Sequence, residues 1–193
     1  MKTIFLDFGN VIGFFDHGRA IAKLKQFTDM PSTELALTLY GSPIEENYEK
    51  GNLSTAEYVQ AAKIHGRLTC TDDEFLAAFV DIFWQNDEVC DLIPLLASKY
   101  RLVLASNTNE AHSRQFRSQF ADVLAHFHHL GMSYEAGARK PHPEFFAYCQ
   151  QFAGAEPEEC LFIDDMPINT AAARVHGWKT IDYRPGQLTH FFA

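Results

Sequence analysis

The sequence predicts an α/β protein: a parallel sheet with helices on both faces, and a small helical unit inserted after the first strand. Three observations carry this reading. A short apolar run opens the chain and ends in an acid. A long stretch, residues 15–86, then shows helical periodicity and helix caps. Beyond residue 87, strand-like and helix-like segments alternate, as they do in βαβ units.

Thr3–Phe8 (TIFLDF) is rich in β-branched and aromatic residues and runs into Gly9, which marks a buried strand. Val11–Asp16 passes through Gly13 without a clear period. Arg19–Phe27 is amphipathic, with Ile21 and Leu24 on one face. Ser32 is placed to cap a helix running to about Tyr40, which Gly41-Ser42-Pro43 ends. Pro43 suits the first turn of another, which stops at Gly51. Ser54 with Glu57 forms a capping box for a helix ending near His65-Gly66. Thr71 with Glu74 forms a second, opening a helix over Asp72–Trp84. Leu35, Leu39, Tyr48, Tyr58, Phe75, Phe79 and Phe83 read as the core of this small bundle.

Asp87–Ser98 is a helix that Pro94 kinks. Arg101–Ala105 is then a strand, Asn109–Phe120 a helix, Phe127–Met132 a short strand and Pro143–Phe152 a helix. Cys160–Asp164 is a strand, Ile168–His176 a helix closed by Gly177, and Lys179–Tyr183 the last strand. Residues 1–14 and 87–193 are therefore expected to form a Rossmann-like core, and residues 15–86 a helical cap domain.

Composition narrows the partners. The 193 residues include 25 acids and 16 bases, a formal charge of −9, with a pI near 5.4. That balance argues against nucleic acid or an anionic membrane as the main partner, yet permits a small anion at one local positive spot. A chain 47% hydrophobic and 21% charged buries enough apolar surface to fold. Its 17 Phe are assigned to two cores, sheet and cap, with a few shaping the cleft between them. Cys70, Cys90, Cys149 and Cys160 lie in apolar segments without CxxC spacing, as reduced core thiols do. Apolar runs such as Phe75–Val80 and Leu92–Ala97 are too short to span a bilayer. A cytoplasmic monomer or homodimer is expected.

In open parallel sheets, ligands bind outside the carboxyl ends of the strands. Those ends carry Asp7, the run Ser106-Asn107-Thr108-Asn109, and Asp164-Asp165. The turn Arg139-Lys140-Pro141 precedes a helix nearby. Three carboxylates brought that close repel unless a cation sits between them. Hard oxygen ligands suit Mg²⁺. Lys140 just before a helix N-terminus opposes the helix dipole, which makes sense where both face an anion. A carboxylate nucleophile, Mg²⁺, a hydroxyl and a lysine together suit phosphoryl transfer.

These residues carry a resemblance to the haloacid dehalogenase superfamily. TIFLDFGNVI is similar to that family's first motif, LASN to its second, RKPHPEFF to its third and LFIDDMPIN to its fourth, in order and with similar spacing. The cap falls between the first two motifs. The resemblance implies Asp7 as nucleophile, forming an aspartyl-phosphate, and as a Mg²⁺ ligand with Asp165, the Gly9 carbonyl and Asp164, directly or through water. It implies Ser106 and Asn107 as phosphate-binding residues, and Lys140 as the cation that neutralises Asp7 and the transferring group. Asn169 would orient Lys140 or a motif-four carboxylate. A small phosphate ester is the implied substrate.

One position departs. The family usually has a second Asp two residues after the nucleophile as general acid/base; here it is Gly9. The DxGNV pattern resembles the α-glucose-1-phosphate phosphatase-like branch, and water or Asp16 would stand in for the acid. The alternatives are a phospho-ligand binder without turnover and a metal-independent 2-haloacid dehalogenase. His126, His128 and His129 (HFHH) read as ordinary surface or half-buried histidines, because no acid or Cys completes a zinc set. His17 and Arg19 read as hinge or surface residues. Phe14 and Phe15 line the mouth of the site or pack beneath the cap.

Overall fold

The computed structural model describes residues 1–192. Its elements are β1 (Thr3–Leu6), β2 (Gly13–Phe15), α1 (His17–Leu24), α2 (Ser32–Leu39), α3 (Pro43–Glu49), α4 (Thr55–His65), α5 (Asp72–Val80) and β3 (Phe83–Gln85). They continue with α6 (Asp87–Ala97), β4 (Arg101–Ser106), α7 (Glu110–Gln119), α8 (Ala121–Leu124), β5 (His129–Met132) and α9 (Ser133–Ala136). The last are α10 (Pro143–Gln150), β6 (Cys160–Asp164), α11 (Pro167–Val175), β7 (Lys179–Asp182) and α12 (Leu188–Phe191).

Five parallel strands form the main sheet in the order β5-β4-β1-β6-β7. The strands nearest the centre read as apolar runs because both of their faces are covered. Ile4 and Leu6 point into one core with Leu102, Leu104, Leu161 and Ile163, while Phe5 points into the other with Val103 and Phe162. Helices α6, α7, α8 and α12 contribute buried side chains to the first core, and α10 and α11 to the second. The chain crosses from β1 to β4 on one side and later returns to place β6 on the other. β1 is thus the switch point of the sheet, where a crevice opens.

Local signals set several helix starts. Ser54 with Glu57 and Thr71 with Glu74 form the expected capping boxes. Ser42 caps α3, with Pro43 in its first turn. At α2, however, Pro31 occupies the N-cap, Ser32 lies inside the helix, and no side chain caps it. All four cysteines are buried and free. Among the described residues, no helix is long and apolar enough to cross a membrane.

Two differences from the sequence reading matter. The segment expected as a helix over Asp72–Trp84 ends at Val80, and Phe83–Gln85 instead pairs antiparallel with Gly13–Phe15. That strand is stabilised by a partner far upstream, so its signal is not local. The ribbon β2–β3 carries both chain crossings between sheet and cap. The aromatic core also divides otherwise than expected. Cap residues Leu35, Tyr58, Phe75 and Phe79 belong to the same core as Leu6, Phe8 and Phe116. The two cores are therefore the two faces of the sheet, and the cap extends one of them. Phe8 stacks on Phe116 at 4.0 Å, and Phe79 on His112 at 4.1 Å.

Polar contacts fasten the cap to α7 and α9. The Tyr48 hydroxyl accepts from the Ala111 N–H at 3.0 Å. Thr55 donates to Glu110. Gly51, at φ +71°, passes so close to α9 that a Cβ would lie 2.2 Å from the Tyr134 carbonyl oxygen, which only glycine permits.

A shared core predicts shared unfolding. Phe79 is fully buried, and Phe79→Ala should cost about 3–5 kcal/mol. Calorimetry should show one transition moved to lower temperature. A separate early transition for the cap would contradict the continuity of the core.

Candidate active site

β1 is flanked by β4 and β6, with Leu6 opposite both Leu104 and Ile163. Residues just past these positions therefore emerge on one edge. The Asp7 N–H donates to the Ile163 carbonyl at 2.9 Å, which carries the ladder one residue beyond β1 and fixes Asp7 at its tip. Ser106 ends β4 and Asp164 ends β6. Oxygens of Asp7, Asp164 and Asp165 lie within 4.8 Å of one another. No other group of three or more acids, histidines or cysteines among the described residues comes as close.

Lys140 sits between two of them. Its Nζ lies 2.8 Å from Asp7 Oδ1 and 2.7 Å from Asp164 Oδ2, and the side chain is 1% exposed. Burial alone would push the ammonium down, but Asp164 and Asp7 outweigh it and hold its pKa above the ordinary value. Asp7 is pushed up to about 8, first by burial, against the lowering effect of Lys140 and with a further rise from Asp164. Asp165 is raised by burial and partly relieved by a hydrogen bond from Asn10. One lysine thus serves two acids while a third stands beside them.

Neighbouring amides hold this arrangement. Asn107 accepts from the Lys140 N–H at 2.8 Å and donates to its carbonyl at 3.0 Å, clamping the lysine's backbone to the end of β4. Asn169 donates to both Asp164 oxygens at 3.1 and 3.2 Å, and the Met166 N–H donates to Oδ1 at 2.8 Å. Asn169 therefore orients the carboxylate. Asp164 is fully buried and both its oxygens are engaged, whereas Asp165 receives one side-chain bond, from Asn10 at 3.0 Å. Asn10 sits in the left-handed region at φ 56°, which asparagine tolerates better than most residues.

The donor set suits a hard divalent cation: clustered carboxylate oxygens in excess of the local positive charge. Asp7 and Asp165 have oxygens free to bind it, with the Gly9 carbonyl on the same edge. Ser106 is 2% exposed and, with Asn107, lines the cleft beside Asp7.

The cleft has two chambers. One is lined by Asp7, Gly9, Asn10, Arg139, Lys140 and Asp165. The other is lined by Ser106, Thr108, His17, His112 and Glu45. Gly9, Phe15, Glu49 and Asn107 border both. Phe15 explains part of the departure at position 9. A Cβ on Gly9 would lie 2.9 Å from the Phe15 ring, so an acid there requires the ring to swing aside.

Several expectations change here. Asp16 is exposed and caps α1 by accepting from Gly18 N–H at 2.7 Å, and it lines neither chamber, so it does not replace the missing acid. His17 lines the second chamber and stacks on Tyr40 at 3.6 Å, while Arg19 stays outside, paired with Asp81 at 3.3 Å. Phe15 lines the cleft, but Phe14 turns toward Trp84. His126 and His128 are exposed, and His129 stacks on Phe152. Glu45 and Glu49 were not singled out from the sequence. Their spacing, one turn apart on a helix, reads there as a solvated face.

The Asp7 carboxyl predicts a pH response. In chelator, the unfolded chain releases this proton near 3.8 and the folded protein near about 8. Between these values the folded state holds the extra proton, so stability is greatest at low pH and falls as pH rises. Urea unfolding at about pH 5 and about pH 8 should show that fall, and Asp7→Asn should flatten it. An unchanged slope in Asp7→Asn would contradict the assignment.

Comparison with known proteins agrees with this geometry. A haloacid dehalogenase-like hydrolase family model matches residues 1–177. D-ribitol-5-phosphate phosphatase of Bacteroides thetaiotaomicron is 29% identical over 194 residues, covering 96% of this chain and 93% of that protein. A haloacid dehalogenase family enzyme of the same organism, crystallised with magnesium and inorganic phosphate, superposes with a TM-score of 0.86 at 26% identity, covering 100% of both chains. L-2-haloacid dehalogenase of Xanthobacter autotrophicus shares the fold at 14% identity, with a TM-score of 0.68 over 93% of this chain and 76% of that one. With its four motifs converging on one sheet edge, the chain belongs to the haloacid dehalogenase-like hydrolases.

Proposed function

We propose that this hydrolase is a Mg²⁺-dependent phosphatase of a small sugar or polyol phosphate, acting through an aspartyl-phosphate on Asp7. The observation that carries the reading is the Lys140 ammonium held between Asp7 and Asp164, with Asp165 alongside. The ribitol-phosphate phosphatase relative and the magnesium–phosphate complex of the similar structure support it.

In the first step an Asp7 carboxylate oxygen attacks phosphorus. The bond from phosphorus to the ester oxygen breaks, and its electron pair leaves with the alcohol oxygen, which takes a proton from water. In the second step water attacks phosphorus and loses a proton, which replaces the one taken from solvent in the first step; the phosphorus–Asp7 oxygen bond breaks, its electron pair restores the Asp7 carboxylate, and inorganic phosphate leaves. Lys140 offsets the negative charge on Asp7 and on the transferring group, and Ser106 with the Asn107 backbone binds phosphate oxygens. Asp7, Asp165 and the Gly9 carbonyl would hold Mg²⁺, which when bound neutralises phosphoryl charge. Asp164, saturated by Lys140, Asn169 and Met166, is best placed to position the lysine. Residues 15–86 act as a cap over a core of residues 1–14 and 87–193, excluding water from the centre.

A second reading, a binder of phosphorylated ligands with little turnover, is favoured by one observation: Gly9 has no acid and Phe15 crowds its place. Phosphate release separates the two. Purified protein with Mg²⁺ should release phosphate from small phosphate esters, and Asp7→Asn should abolish release. Without an acid at position 9, acetyl phosphate should turn over about 10²-fold or more faster than β-glycerophosphate. Equal rates on the two would mean that another group protonates the leaving oxygen.

A further inference from the structure

Acids line both chambers, Asp7, Asp165 and Glu49 the first, but the two differ in the cations they hold. Arg139 and Lys140 line the one that holds Asp7, where the phosphate is expected. The second chamber contains no Arg or Lys. Its two histidines are pushed down by burial, His17 to about 4 and His112 to about 3, so both are neutral at pH 7. Its charged side chains are Glu45 and Glu49, four residues apart on one face of α3. Phe15, Phe83 and Phe116 supply apolar wall.

These carboxyls have capacity left over. Glu49 Oε2 lies 3.0 Å from the Arg139 guanidinium, yet the oxygen makes no well-directed hydrogen bond and is buried. Arg139 Nε is likewise buried without a hydrogen-bond partner. Tyr40, 8% exposed and stacked on His17, leaves its hydroxyl unpartnered, and the Glu45 charge helps to hold that hydroxyl protonated. Burial, together with the Glu49 charge, pushes Glu45 up to about 7, against the lowering effect of a hydrogen bond from the Gly41 N–H and of Arg139. Buried polar atoms are nearly always hydrogen-bonded, and of these unpartnered atoms Glu49 Oε2 belongs to a residue that lines both chambers.

Resting on the phosphatase reading, we propose that Glu45 and Glu49 form the leaving-group subsite and select a neutral polyhydroxylated alcohol over one that carries a second anionic group. The alcohol hydroxyls donate to the Glu49 carboxylate and exchange hydrogen bonds with Glu45. The aromatic walls cover the carbon chain. A carboxylate or second phosphate in the same place would face the Glu45 and Glu49 carboxyls, and the cation in reach, Arg139, is already paired with Glu49. Glu49 also touches Arg139, next to Lys140 in the chain, so it marks the border between alcohol and phosphate.

The test uses the full-length enzyme with Mg²⁺ and four esters. These are a polyol phosphate such as ribitol 5-phosphate, n-pentyl phosphate without hydroxyls, phosphoglycerate with a carboxylate, and p-nitrophenyl phosphate as a reference. Wild type should prefer the polyol phosphate over pentyl phosphate and phosphoglycerate by about 10–100-fold in kcat/KM, as expected for hydrogen bonds to a charged group. Glu49→Gln and Glu45→Gln should lower the ratio of polyol to p-nitrophenyl phosphate specificity by about 10-fold, with the loss mainly in KM, and should narrow the bias against phosphoglycerate. Free ribitol should raise the melting temperature of wild type and not of the variants. An unchanged ratio would overturn the proposal. So would an equal fall in kcat for pentyl phosphate, which would make the glutamate a proton donor instead. If wild type cleaves p-nitrophenyl phosphate no faster than Asp7→Asn, the phosphatase reading fails and the subsite falls with it.

Discussion

The Lys140 ammonium between Asp7 and Asp164 is the interaction on which the rest of the site depends. Removing a cation and two carboxylates from water costs several kcal/mol per ion, and attraction offsets that only when geometry is good and the spare donors and acceptors are used. The chain meets both conditions with local devices. Asn107 fixes the lysine's backbone, Asn169 and Met166 fill the Asp164 oxygens, and the β1 ladder runs one residue past the strand to hold Asp7. The strand order does the remaining work. Because β1 lies between β4 and β6, three motifs far apart in sequence end on one edge.

That constraint leaves Asp165 as the freer carboxylate and Asp164 as the committed one. Adjacent residues past a strand point to different sides, so neighbouring acids with the same side chain receive different environments. Asp164 meets buried donors, while Asp165 meets the cleft and Asn10. The position of Gly9 follows the same economy of space. Phe15 is packed with the core shared by sheet and cap, and its ring stands where a side chain at position 9 would begin. The ring also walls both chambers. The chain thus has an apolar partition where relatives with an acid at this place would have a proton donor.

Much of this was legible in the sequence, for physical reasons that can be named. Strands buried on both faces read as uninterrupted apolar runs, and capping boxes such as Thr71 with Glu74 announce helix starts within four residues. Asp7, Ser106 and Asp164-Asp165 are legible because strand ends in a parallel sheet share an edge, and Lys140 because a cation before a helix N-terminus opposes the helix dipole. What escaped depends on distant pairing. Phe83–Gln85 looked like the end of a helix until paired with Gly13–Phe15. The amide roles of Asn10 and Asn107 have no sequence signature, because either residue is equally ordinary in a turn. Glu45 and Glu49 carry the pattern of a solvated helix face, and only the docking of α3 against α9 and the Arg139 turn buries it.

The acidity of the whole chain and a local positive spot at Lys140 and Arg139 are compatible because they act at different ranges. Surface charges contributing to the net −9 are screened by salt over about 8 Å under physiological conditions. Charges inside a cleft are screened much less. A phosphate near Asp7 therefore responds chiefly to Lys140 and Arg139, and to any divalent cation among the three carboxylates. On the proposed reading, the alcohol would respond to Glu45, Glu49 and the aromatic wall. Placing Arg139 and Lys140 side by side in one turn, with Glu49 reaching down from the cap to the first of them, separates the two fields by the width of a single ion pair. On the proposed reading, an ester laid across that border would put its phosphate beside Lys140, Arg139 and any bound cation and its alcohol beside Glu45, the orientation that attack by Asp7 would need.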